Sequence, residues 1–213
     1  ANLDCASPAV PWPELCGLGL LDLLHRLMMV GFSDDDVLLE CLTLAGVLAL
    51  DPACAPLLAA SKVHTDLSDL LVEKQEDGDI MVQLLFSLHC LLLQEETCEV
   101  VLQETDAPER VLDLLEAYQQ ASDARGVAIQ TGANSVLDLI VALEEQDDHE
   151  PRWSERIKAY RFEVHNLEWV QMLRRGEEYK PVERKPIENK TGVRWTDVGV
   201  LADRCWGGSS GIW

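Results

Sequence analysis

A Leu-rich block recurs three times in the first half of this chain, and that repetition restricts the fold more than any other feature of the sequence. The blocks are Leu20-Leu21-Asp22-Leu23-Leu24, Leu67-Ser68-Asp69-Leu70-Leu71 and Val111-Leu112-Asp113-Leu114-Leu115, spaced by 47 and 44 residues. The second spacing returns at other positions: Cys54 falls on Cys98, Leu58 on Leu102, Leu48 on Leu92, Asp35 on Asp79 and Asp79 on Asp123. A period of this length marks a repeat architecture, in which a unit that cannot bury its apolar face alone stacks on its neighbours.

Each unit reads in the same order. The Leu-Asp-Leu-Leu helix is followed by a polar turn holding Asp34-Asp35-Asp36, Glu76-Asp77-Gly78-Asp79 or Ser122-Asp123. Such side chains accept the unpaired N–H groups that open a helix. Strongly apolar helices are then expected over Val37 to Leu50, Ile80 to Leu93 and Val127 to Leu143. Shorter ones are expected around Ala53 to Ala60 and Thr97 to Glu104. These runs are too long for strands and lack alternation. Aromatics make up only 6% of the chain, and its Leu, Ala and Val suit helix packing. With a period inside the roughly 40 to 47 residues of armadillo and HEAT repeats, the expected fold is all-α. It is a right-handed armadillo/HEAT-like solenoid of about three repeats, over residues 1–150. A C-terminal helix over 151–176 and an irregular tail over 177–213 complete the chain.

Charge divides the chain at the same place. Up to Glu150 there are 29 acidic and 5 basic side chains, and beyond it 9 and 12. The acidic run Glu144 to Glu150, closed by Pro151, is a solvated breaker. A net charge of −21 argues against nucleic acid as a partner, since phosphates are held by Lys and Arg. The apolar stretch Cys41 to Leu50, interrupted by Thr43 and closed by Asp51, falls far short of the roughly 18 residues of a membrane span, so no membrane insertion is expected. No secretory signal is read at the N-terminus, and the absence of an initiating Met suggests a piece of a longer chain. Seven scattered Cys without CxxC spacing suggest small core hydrophobes in a reducing compartment. In that setting the acceptor pattern Asn189-Lys190-Thr191 carries little weight.

Enzyme chemistry has no foothold in the sequence. A nucleophile with its base, a phosphate-cradling loop and metal-ligand spacing were each sought without result, so no catalytic residue, metal or cofactor is expected. Gly17-Leu18-Gly19 does not follow a strand, and His89-Cys90 reads as a helix position within an apolar run. Asp34-Asp35-Asp36 and Asp77-Gly78-Asp79 read as caps rather than calcium loops. After the boundary, Trp153, Ile157, Tyr160, Val164, Leu167 and Trp169 or Val170 recur at helical spacing. That stripe suits a cap over the open end of the repeats, a partner-facing helix, or both. Past Gly176 the periodicity is lost, although Trp195, Trp206 and Trp213 are unusual residues for an idle linker.

Five stretches resemble the kinesin-associated proteins, the non-motor accessory subunits of heterotrimeric kinesin-2. They are Asp51-Pro52-Ala53-Cys54-Ala55-Pro56-Leu57-Leu58-Ala59, Gln75-Glu76-Asp77-Gly78-Asp79, Glu104-Thr105-Asp106-Ala107-Pro108, Leu137-Asp138-Leu139-Ile140 and, the most specific, Arg161-Phe162-Glu163-Val164-His165-Asn166-Leu167-Glu168-Trp169. The likeness runs from about Pro11 to Tyr179, with a longer turn around Tyr118 to Gly126. The resemblance implies a non-enzymatic armadillo adaptor that binds kinesin-2 motor subunit tails and cargo adaptor proteins, including ciliary transport trains. It places the chain in the cytoplasm, at the cytoskeleton and in the cilium or flagellum. Expected partner contacts are Arg161, His165, Asn166 and Trp169 on the C-terminal helix, together with Trp153. The alternative is another armadillo or HEAT scaffold, such as a nuclear transport or regulatory adaptor. The inner Trp and Asn ladder of transport adaptors is missing here, with Trp12 at an edge and Asn134 alone.

Overall fold

In a computed structural model of the chain, which describes residues 10–29, 31, 34–146 and 152–176, the aspartates of the polar turns start the helices that follow. Asp34 accepts the Val37 N–H at 3.1 Å. Asp77 accepts those of Asp79 and Ile80 at 3.0 and 3.1 Å, and Asp123 accepts that of Gly126 at 3.3 Å. Each carboxylate also sits where the helix dipole favours a negative charge. Because capping recruits the acidic residues themselves, the apolar helices begin two or three residues earlier than the hydrophobic pattern alone suggests.

The described elements are all α-helical. They are α1 (Trp12–Gly17), α2 (Leu20–Met28), α3 (Asp35–Ala49), α4 (Ala55–Ala59), α5 (Val63–Glu73), α6 (Gly78–Leu91), α7 (Glu95–Glu104), α8 (Ala107–Ala117), α9 (Ala124–Gln146) and α10 (Ser154–Arg175). The chain divides into two compact units, Ala1–Ser154 and Glu155–Trp213. Asn189, Trp195, Trp206 and Trp213 of the expected irregular tail, and most of the acidic run, lie outside the described residues.

Within the first unit, helices about one period apart lie against each other. α3 packs on α6 and α6 on α9; α2 packs on α5 and α5 on α8; α4 packs on α7. The row of α3, α6 and α9 carries the core: Leu42, Leu48, Ile80, Met81, Leu84, Ile129 and Leu137 are essentially inaccessible. Each such side chain contributes about 1.5–3 kcal/mol by leaving water. Close approach in this row depends on two helical glycines. A Cβ at Gly46 would stand 2.7 Å from the Phe86 ring, and one at Gly132 would stand 3.2 Å from Leu85. α6 therefore offers bulk on both sides and its neighbours offer room, which offsets the roughly 0.5–1 kcal/mol that glycine costs a helix. The buried Ser87 hydroxyl lies 2.7 Å from the Leu42 carbonyl oxygen of α3, tying the same two helices.

Polar links join helices about one period apart in the sequence. Lys74 pairs with Asp35 at 2.5 Å, Arg110 with Asp69 at 2.9 Å, Arg125 with Asp79 at 2.7 Å and His25 with Asp66 at 2.7 Å. Those with exposed carboxylates, Asp35, Asp69 and Asp79, add little stability and mainly fix register. Asp66 is the most buried acid of the set; burial raises its pKa, and the hydrogen bond from His25 partly opposes that.

α9 is long and apolar enough, by length and composition, to cross a membrane. Its apolar positions Ile129, Ala133, Val136, Leu137 and Ile140 are instead buried within the unit, where the helix packs on α6 and α8. Among the described residues Cys16, Cys41, Cys54 and Cys90 are buried free thiols and Cys98 is half-buried. Burial pushes Cys54 and Cys90 up to about 12, which keeps both as unreactive hydrophobes.

Candidate functional site

The residues expected to meet a partner cluster on α10. Its first N–H groups are satisfied by the end of α9: Glu144 accepts from Trp153 at 3.0 Å and from Ser154 at 2.7 Å. A carboxylate here complements the positive end of a helix.

Trp153 is buried, unlike the other residues expected to meet a partner. It is 2% exposed, and the Arg152 guanidinium lies 5.0 Å from the centre of its ring. The sequence stripe that joined it to Trp169 is two stripes. Ile157 is buried and Tyr160 and Val164 are half-buried. Phe162, Trp169 and Leu173 are 67%, 45% and 53% exposed. At 100° per residue, the last three fall within about 20° of one line, nearly opposite Val164. A seam of three apolar side chains, interrupted by His165 and Asn166 between Phe162 and Trp169, thus runs along the exposed side of a 22-residue helix.

His165 is exposed and Asn166 half-buried, and both border that seam beside Trp169. Arg161 is half-buried and lies about a quarter-turn from Phe162. On the helix, Trp169 therefore has His165 on one side and Asn166 on the other, with Arg161 beyond His165, while Trp153 is buried in the first unit. Phe162 and Leu173 are the residues the sequence reading missed. Their spacing from Trp169, seven residues before and four after, carried the signal, but the stripe through Ile157 and Val164 masked it.

The first unit presents a different surface. Its exposed positions on α3 include Asp36 and Glu40, with Val47 and Leu50 between turns. Half-buried His89 of α6 reaches Ser135 of α9 at 3.5 Å, and burial lowers its pKa. Among the described residues no three His, Cys, Asp or Glu side chains are arranged to hold a metal ion.

Two comparisons with known proteins bear on these surfaces. The family model described as kinesin-associated protein (KAP) matches residues 15–184, covering α2 to α10. No solved structure matches the chain.

Proposed function

The chain belongs to the kinesin-associated protein family, and from that premise we propose that it is a non-enzymatic adaptor portion of a heterotrimeric kinesin-2 motor. In this reading the helical rows are stacked armadillo-type repeats in a right-handed solenoid. They bind the tails of the paired motor subunits and link them to cargo adaptors, including ciliary transport trains, in the cytoplasm and along the cytoskeleton.

The observation that carries the reading, beyond family membership, is the exposed Phe162, Trp169 and Leu173 seam on α10. Three large apolar side chains in line on a solvated helix are a poor use of surface unless something covers them. A helix with anchors at this spacing fits a groove or a second helix. His165, Asn166 and Arg161 supply polar contacts along its border. The acidity of the first 150 residues supports attraction of basic tail segments over the Debye length.

Co-purification of the chain with the two motor tail segments, at low and at moderate salt, tests this. A ternary complex that weakens as salt rises is expected. Absence of a complex, from a chain shown to be helical by circular dichroism, would contradict it.

A further inference from the structure

The row of α2, α5 and α8 leaves a second feature that the reading above does not use. Between the end of α5 and the face of α8 lies an open groove of about 390 Å³. Its size is at the lower end of the range of recognition pockets. Leu71 and Leu114 form its buried floor, and Val72, 53% exposed, stands at its edge. Glu76, just after α5, and Asp113, on α8, both line it and both are exposed. Neither forms an ion pair among the described residues. Arg110, the cation in the wall, is already engaged by the Asp69 carboxylate and the Ser68 carbonyl oxygen. The far end is fixed by Tyr118, whose hydroxyl donates to the Gln75 carbonyl at 3.0 Å.

The chemistry is an apolar floor with two uncompensated carboxylates. An acidic segment is repelled from it, and a purely apolar one leaves both lips without a counter-charge. We propose that this groove docks a basic amphipathic helix of a partner protein, with apolar side chains on Leu71, Val72 and Leu114 and Lys or Arg side chains on Glu76 and Asp113. The proposal rests on the chain being a protein-binding scaffold, and on neither α10 nor the motor tails. The groove also lies on a row of helices separate from α3, α6 and α9.

The test uses the full chain and a short fluorescent peptide helix carrying Leu along one face and Lys or Arg elsewhere, followed by anisotropy at moderate salt. Reversing both lips, Glu76→Lys with Asp113→Lys, is expected to weaken binding about tenfold. Reversing Glu40 and Glu99, exposed on α3 and α7, changes net charge equally and is expected to leave affinity nearly unchanged. Val72→Asp removes the apolar edge without altering a buried residue, and is expected to weaken binding comparably. Equal loss in both charge-reversed proteins would show diffuse attraction and overturn the proposal. Unaltered binding after Glu76 and Asp113 are reversed, loss of peptide binding on Trp169→Ala, or no binding by the unaltered chain would each overturn it too. Because the peptide contains no motor sequence, failure of the motor tails to bind is distinguishable from failure of the groove.

Discussion

α6 and α10 are both regular helices, yet they use their apolar residues in opposite ways. α6 buries Ile80, Met81, Leu84, Leu85, Leu88, Cys90 and Leu91 against neighbours one repeat away. α10, longer by eight residues, leaves Phe162, Leu167, Trp169, Val170 and Leu173 exposed. A repeat helix is read by its own chain on two sides, so its hydrophobic residues are explained by folding. The α10 residues are not, and what folding leaves unexplained is the better guide to binding.

The contrast can be broken first in the core. Leu84→Ala is expected to cost about 2–5 kcal/mol in chemical denaturation, through lost transfer energy and a cavity between packed helices. Leu173→Ala, the same truncation on α10, is expected to stay within about 0.5 kcal/mol. Equal costs would mean that the seam is structural. A smaller effect is expected from Gly46→Ala, because the added methyl meets the Phe86 ring; about 1–3 kcal/mol is expected from the same melts.

Next in size is a pH effect confined to the repeats. Burial lowers the pKa of His89, so the folded state favours its neutral form. The stability this confers is present above the ordinary value of 6.5 and is lost as pH falls below it. His89→Gln is therefore expected to flatten the decline in melting temperature between about pH 7 and 5. Asp66, raised by burial, acts in the opposite sense: its contribution is present when it is protonated at lower pH and is lost as pH rises. The smallest folding effect is expected from Trp169→Ala, which should leave the melt nearly unchanged while weakening motor tail binding.

The helices of the first unit were legible because their constraints are local or periodic. Asp34, Asp77 and Asp123 announce helix starts within three residues, and the 44-residue offset places α6 one repeat after α3. Links such as Arg125 to Asp79, or Phe86 over Gly46, were not legible, since they join residues about 40 apart whose rotation is set only by stacking. At α10 the helix was readable but its partition was not. Two apolar stripes on one helix look like a single broad one until burial separates Ile157 from Phe162. Trp153 shows the same ambiguity: the stripe it opens suited a cap or a partner contact, and only its burial, just before the helix and inside the first unit, separates it from the exposed positions.

The most direct measurement is amide hydrogen exchange of the chain with and without the two motor tail segments. Slowed exchange across residues 161–173, along with little change at the already protected α6, is the result expected if α10 is the docking helix. Tail binding with no added protection anywhere in α10 would contradict that assignment.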